Sequence, residues 1–354
     1  MRQGDLADPI NRRILHVAED QMVGFYERPF EALAALCGLP EALVLERVRA
    51  MLAEGTILRV RQVLPSTTLT RSCLIAWRVP EAGLDAAFDW LAQHDPATGH
   101  IVIRRAHDPA FPGAAYRLWT TLRLPAGADF EGHCRALAAQ IHAPEYVCMP
   151  VVGMFTLSVG HVRRAGLAPG TLLPEPPKMQ RPPCPELSAQ ELAVLAALQD
   201  SLRPEELQPE PWVARAQALG MAPAEFCRVA QALVEKRALG RFAAVLNHTL
   251  PANPHSGTGK SALFVWAVEP GYEEAAGALC GRHVCMTHCY WRSGGEPLGG
   301  VQVMGVAHAP TTEGLLAHKE AIDSALRRSG IPLRYTTHLY TERALVKPSR
   351  VEPR

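Results

Sequence analysis

A short segment near the end of the chain carries three side chains that could bind the carboxylate of a substrate and transfer a proton to that substrate. It reads His288-Cys289-Tyr290-Trp291-Arg292 and lies in a strand predicted from residue 284 to residue 292. Because side chains alternate across a strand, His288, Tyr290 and Arg292 share one face, while Cys289 and Trp291 share the other. Histidine titrates near neutral pH, and the arginine fork binds both oxygens of a carboxylate. The segment therefore predicts a site that holds an acid and moves a proton.

Other residues are candidates for the same site. His308 ends the next predicted strand, and His248 follows a short strand in the middle of the chain. A single strand histidine is more often a hydrogen-bonded core residue. Tyr290 and Arg292 on the same face, with His308 on the next strand, leave the structural and functional interpretations of His288 equally open. For His248 the structural interpretation remains the simpler one. Arg343 suits either a carboxylate clamp or a solvated charge at a strand end.

Two further motifs do not match the chemistry that they suggest. The segment from His255 to Ser261 is like a phosphate loop, but Pro254 stands where the Walker pattern needs glycine, and a strand follows instead of a helix. The segment from Cys280 to Cys289 is rich in metal-ligand types. Its cysteine spacing matches no zinc or iron–sulfur pattern, and strand alternation separates Cys289 from His288. We therefore predict no protein-bound metal.

The composition is that of a soluble, folded protein without a strong charge bias. The 354 residues include 36 Lys and Arg and 35 Asp and Glu, for a net charge of +1, and 48% are hydrophobic. This balance makes DNA an improbable partner, because phosphate contacts need a basic face. Nine scattered cysteines fit a reducing cytoplasm. We expect neither a signal peptide nor a membrane span.

The chain contains an internal duplication. The segment from Leu36 to Val60 recurs 182 residues later, so that Gly38 pairs with Gly220 and Arg59 with Arg241. Between the copies, six prolines in the twelve residues 174–185 predict a stiff, extended linker. The predicted domains are 1–68 and 188–248 (winged helix-turn-helix), 69–163 and 249–354 (ferredoxin-like), and 164–187 (linker).

Each half has the same predicted element order. Three short helices and a strand are typical of a winged helix-turn-helix, and the strand–helix–strand–strand–helix–strand order that follows is that of a ferredoxin-like unit. The predicted fold class is therefore α+β, built as a tandem duplication of these two units.

Several motifs together resemble those of the siroheme decarboxylases, a family with Lrp/AsnC-like architecture. They are Arg28-Pro29-Phe30, Asn247-His248, the segments 288–292 and 304–308, and the ending Tyr340-Thr341-Glu342-Arg343. The resemblance covers essentially the whole chain and is closest to the fused two-subunit form of haem d1 biosynthesis. It implies removal of two acetate carboxyls of siroheme to give 12,18-didecarboxysiroheme, in haem d1 or haem biosynthesis.

The resemblance also implies roles for the candidate residues. His288 would donate the proton, assisted by His308 or His248. The substrate would be held by Tyr290, Arg292, Arg343 and Arg105. No cofactor is required, because the iron belongs to the tetrapyrrole substrate. We expect a cytoplasmic enzyme, with a homodimer as its assembly.

The first half departs from the family pattern. Val102 stands about where the strand histidine is expected, and His100 lies two residues early. We therefore expect a catalytic second half and a structural first half. Two alternatives remain open: an Lrp/AsnC-like regulator that senses haem or siroheme, and a non-catalytic tetrapyrrole-binding paralogue.

Overall fold

A computed structural model describes residues 2–65, 67, 69–157, 159–247, 255–256 and 259–347, which form ten α-helices and ten β-strands. The helices are α1 (Pro9–Ala18), α2 (Pro29–Cys37), α3 (Glu41–Ala53), α4 (Leu84–His94), α5 (Phe130–Gln140), α6 (Ala189–Gln199), α7 (Val213–Ala218), α8 (Pro223–Glu235), α9 (Glu273–Arg282) and α10 (Thr312–Arg328). The strands are β1 (Ile57–Gln62), β2 (Thr70–Arg78), β3 (Thr98–Ala106), β4 (Leu118–Pro125), β5 (Glu145–Leu157), β6 (Phe242–Leu246), β7 (Lys260–Val268), β8 (Met286–Arg292), β9 (Val303–Ala309) and β10 (Leu333–Val346).

Local sequence signals set several helix ends. Asp8 caps α1, where its carboxylate accepts the backbone N–H of Ile10 at 2.8 Å. Ser188 and Glu191 form a reciprocal capping box at the start of α6. The helix α2 ends at Gly38, which has a φ of 60° and therefore adopts the left-handed conformation that glycine tolerates best.

Eight of the strands close into one antiparallel barrel in the order β10-β3-β4-β2-β5-β8-β9-β7. The first half contributes the neighbouring strands β3-β4-β2-β5, and the second half contributes β8-β9-β7-β10 in the same relative order. The halves are joined where β5 pairs with β8 and where β10 pairs with β3. The α+β class is confirmed. The sequence analysis did not predict that the sheets of the two halves would merge into a single barrel.

Helices cover the outside of the barrel, and apolar side chains fill part of its interior. α4 and α5 pack on the first half, and α9 and α10 pack on the second. At one end of the barrel, the loops after β3 and β8 meet and insert Phe111 and Leu298. The ring of Phe111 stacks on Tyr335 with 5.6 Å between centroids. This end of the barrel is therefore closed by apolar packing.

The remaining helices form one layer with a single hydrophobic core. Helices from both halves contribute to this core, in which Phe30 meets Phe242 edge to face at 5.7 Å. The strands β1 and β6, one from each half, pair with each other as a two-stranded antiparallel sheet. The helical segments of the two halves thus pack as one unit.

The proline-rich segment is extended and is bound to both halves of the chain. Gln180 and Met154 exchange two backbone hydrogen bonds of 2.8 Å, and the N–H of Leu173 donates to the carbonyl of Arg282 at 2.8 Å. In the described part of the chain, no helix is long and apolar enough to cross a membrane.

Candidate functional site

The strand β8 places its chemistry-bearing residues as the alternation predicts. Cys289 and Trp291 pack into the core between the sheet and its helices. His288, Tyr290 and Arg292 lie on the opposite face, toward the barrel interior. The guanidinium of Arg292 lies 4.6 Å from the centre of the Tyr290 ring and donates to the carbonyl of Met149 at 2.8 Å.

Three other histidines converge on His288. Burial, aided by the positive charge of His100 on β3, lowers the pKa of His288 to about 3. His161, which follows β5, contributes to the same lowering. The His161 ring in turn meets His308 edge to face, with 4.8 Å between centroids. Imidazoles from both halves therefore lie near one another at the end of the barrel opposite Phe111.

Arginines from the β1–β6 sheet and from β4 make this end strongly positive. The pKa of Arg61 falls to about 10 because it is buried and surrounded by like charges, those of Arg59, Arg123 and Arg241. Among the residues that the structure describes, the buried Nε atoms of Arg61, Arg241 and Arg292 have no hydrogen-bond partner. Unpaired buried donors of this kind suit a ligand that carries several carboxylates.

A turn supported by two carboxylates positions His161. The Glu19 carboxylate accepts the backbone N–H of Val162 at 2.8 Å, and Asp20 accepts that of Gly160 at the same distance. Arg163 also binds Asp20, at 2.7 Å. Burial raises the pKa of Glu19 to about 8. The end of α1 thereby fixes the turn that carries His161.

The structure brings some predicted site residues together and leaves others apart. His288, Tyr290 and Arg292 share the inner face of β8, and the ring of His308 contacts that of His161, whereas His248 lies outside the described residues. Arg105 is exposed and paired with Glu342 at 2.9 Å. Arg343 is held on the outer face by Asp85 and Asp89, at 2.8 and 2.6 Å. Arg105 and Arg343 are thus paired with surface carboxylates, and the structure does not bring them to the other predicted site residues.

The sequence analysis also misplaced the first-half histidine. On β3, His100 pairs with Thr121, and on β8, His288 pairs with Val306. Thr121 and Val306 occupy matching places in the two halves, so His100, and not Val102, is the counterpart of His288. Pairing register carries this information, which the linear alignment lacked.

His161 and the cluster arginines were missed because they belong to no recognisable motif. His161 follows β5 in an irregular segment. Arg61 and Arg241 lie on or beside the short strands β1 and β6. The only sequence feature that could have indicated them is the concentration of arginine near the end of each repeat copy, at Arg59 and Arg61 and again at Arg237 and Arg241.

A cleft elsewhere on the surface is less suited to proton transfer than the histidine cluster. An open cleft of about 440 Å³ lies at the other end of β8, where Trp291, Arg292 and Arg334 line it beside a glycine-rich loop. The cleft contains no histidine among its lining residues. No group of three or more His, Cys, Asp or Glu within the described ranges is arranged to hold a metal ion.

Comparison with known proteins gives a consistent picture. Residues 69–155 match the model of the AsnC-like ligand binding domain. The chain is 29% identical over 266 residues to the siroheme decarboxylase NirDL subunit of Paracoccus pantotrophus, and 28% identical to that of Paracoccus denitrificans (strain Pd 1222). Each alignment covers 75% of this chain and 74% of the relative. The resemblance to siroheme decarboxylases is thereby confirmed.

Two solved structures share the fold. The crystal structure of the siroheme decarboxylase NirDL superposes with a TM-score of 0.66 at 20% identity, covering 96% of this chain and 94% of that one. A crystal structure of NirDL in complex with an iron-uroporphyrin III analogue gives a TM-score of 0.65, also at 20% identity, covering 97% and 95%. The barrel and the helical layer of the described residues together share the fold of these proteins.

Proposed function

We propose that this chain is a siroheme decarboxylase, a carboxy-lyase that removes two acetate carboxyls of siroheme to give 12,18-didecarboxysiroheme in haem d1 or haem biosynthesis. The observation that carries the proposal is the cluster of imidazoles and unpaired buried guanidinium donors at one end of the barrel, in a chain similar to enzymes of that name. A tetrapyrrole with many carboxylates complements such a cluster.

The reaction needs little more than a held carboxylate and a proton. When the bond between the acetate methylene and its carboxyl breaks, CO2 leaves and the electron pair stays on the carbon, which a proton then converts to a methyl group. His288 is the proposed donor, with His308 or His248 assisting. Tyr290 and Arg292 hold the substrate, together with Arg61 and Arg241.

The electrostatics suit a donor that is charged only when substrate is bound. In the free protein, burial and nearby positive charges hold the pKa of His288 at about 3, so the imidazole is neutral. Carboxylates of the substrate would offset those charges and raise the pKa of the imidazole. The iron belongs to the substrate in this scheme, so the protein needs no cofactor of its own.

The finer architecture supports a fused pseudo-dimer. We infer that 1–68 and 188–248 descend from one winged helix-turn-helix unit, that 69–163 and 249–354 descend from one ferredoxin-like unit, and that 164–187 joins the copies. The common strand order of the two halves supports this division. We further propose that the enzyme acts in the cytoplasm and forms a homodimer.

An anaerobic incubation with siroheme, followed by mass spectrometry, tests the function. The proposal predicts loss of two CO2 molecules by the wild type and a rate at least a hundredfold lower for His288→Ala. The matched control is Arg343→Gln, which alters an exposed arginine outside the cluster. Intact siroheme with a shifted Soret band would contradict the enzyme and support a binding paralogue. Salt-sensitive binding to promoter DNA would support the regulator instead.

A further inference from the structure

The two halves of the barrel present matching histidines. His100 on β3 faces Thr121 on β4, which in turn faces Leu74 on β2. His288 on β8 faces Val306 on β9, which in turn faces Leu263 on β7. Each histidine is therefore on the second strand of its half, at the same level of the ladder.

A bulge precedes each histidine at the same place. The register of β3 shifts between Thr98 and His100, and the register of β8 shifts between Met286 and His288. A bulge inserts one residue and re-aims the side chain that follows it. The two halves thus use the same backbone irregularity to aim a histidine.

An arginine follows each histidine by four residues. Arg104 and Arg292 are both 6% exposed, and the Nε of each has no hydrogen-bond partner within the described ranges. Four residues along a strand return a side chain to the same face. Each half of the barrel therefore presents a histidine and a buried arginine on the same side of one strand.

The strands that carry these pairs lie opposite each other. Three strands separate β3 from β8 in both directions around the barrel. The charge of His100 nevertheless acts on His288, as the lowered pKa of His288 records. A flat ligand between the two strands would meet one imidazole on each side.

We propose that the barrel holds two proton-donor half-sites, in which His100 protonates the carbon of one acetate and His288 that of the other. This inference rests on the proposed decarboxylase function. In each half-site the carbon–carboxyl bond breaks, CO2 leaves, and the electron pair takes the proton from the imidazolium. The neutral imidazole regains its proton from solvent, so no oxidant or reductant takes part.

The half-sites differ enough to select different acetates. Val102 stands where Tyr290 stands in the other half, and Arg123 stands where His308 does. The half-site of His100 therefore contains a valine and an arginine at these two places. The half-site of His288 contains a tyrosine and a second histidine. Each half-site accordingly serves one position of the tetrapyrrole.

Single-turnover experiments with His100→Ala and His288→Ala test this arrangement. We expect each variant to stop after one CO2 loss, with the second step slowed at least a hundredfold. The two accumulated monodecarboxylated products should be different regioisomers, separable by chromatography. The exposed His16→Ala is the matched control and should give the doubly decarboxylated product at the wild-type rate.

Each outcome separates this inference from the function on which it rests. If the wild type releases no CO2, the proposed function fails. If the wild type removes both carboxyls and His100→Ala does so at an unchanged rate, the function stands and the second donor is overturned. If either variant slows both CO2-releasing steps equally, the proposal of two donors is also overturned, in favour of one shared donor. His100→Gln replaces the alanine variant if the latter does not fold.

Discussion

The ring of His161, from the first half of the chain, meets the ring of His308, from the second, edge to face at 4.8 Å. His161 is held there by backbone hydrogen bonds from its turn to Glu19 and Asp20 at the end of α1. The first half is thus more than a scaffold for the second. Residues from the barrel, the turn after β5 and the helical layer all meet at one cluster.

Glu19 gives the protein a characteristic dependence of stability on pH. Its pKa is about 8 in the folded state against an ordinary value of 4.5, so between these values the folded state keeps a proton that the unfolded state releases. The free energy of unfolding therefore falls as pH rises from 4.5 to 8. Glu19→Gln removes this dependence. The free energy of unfolding of Glu19→Gln, minus that of the wild type, should therefore rise by on the order of a few kcal/mol between pH 4.5 and pH 8. Urea denaturation at several pH values measures the free energy of unfolding. The exposed Glu210→Gln is the control, and the same pH dependence of that free energy in Glu19→Gln and Glu210→Gln would contradict the prediction.

Gly160 is predicted to tolerate no side chain. A Cβ there would lie 2.8 Å from both carboxylate oxygens of Asp20. Gly160→Ala should displace the turn that carries His161, lower the free energy of unfolding by about 1–3 kcal/mol and reduce turnover. The control is Gly83→Ala, where the nearest atom outside the local chain is 3.7 Å away. Thermal denaturation and turnover of both variants provide the comparison, and equal behaviour of the two would refute the role given to the turn.

The cluster arginines should govern substrate affinity. Arg61→Gln and Arg241→Gln each remove a charge from the cluster, and we expect each to weaken siroheme binding by about 10- to 100-fold. Neither should lower the melting temperature much, because the like charges repel one another in the free protein. Arg343→Gln should change affinity less than about twofold, since exposed ion pairs contribute little. Soret titrations measure the affinities; a larger effect at Arg343 than at Arg241 would argue against the placement of the site.

Substrate binding should take up protons. His288 is neutral in the free protein, where burial and neighbouring charges lower its pKa to about 3, and carboxylates of the ligand should raise that pKa. At about pH 6, calorimetry in buffers of different ionisation enthalpy should therefore show net proton uptake on binding. His288→Ala should take up fewer protons than the wild type. Identical proton counts would mean that His288 does not become charged with substrate.

Strand periodicity made part of this site predictable. The alternation in β8 assigned His288 and Arg292 to one face and Cys289 to the other. The linear alignment of the two halves placed Val102 opposite His288, because residue types alone do not show which residues pair across neighbouring strands. Only the strand pairing identifies His100 as the partner of His288.

Long-range contacts account for the remaining differences. His161 reaches His308 through an irregular turn whose position depends on Glu19 and Asp20, about 140 residues earlier in the chain. Arg343 looked like a carboxylate clamp, but it binds Asp85 and Asp89 in a helix of the other half. Such pairings depend on how the halves close on each other, which local sequence does not encode.

Turnover of siroheme in D2O tests the central claim most directly, because it follows the carbon atoms that receive the protons. The account predicts that the anaerobic wild-type enzyme releases two CO2 molecules from each siroheme and that mass spectrometry finds one deuterium in each new methyl group. His288→Ala should deliver at most one such deuterated methyl group. Recovery of intact siroheme after complete binding, or decarboxylated product without deuterium at those carbons, would contradict the account.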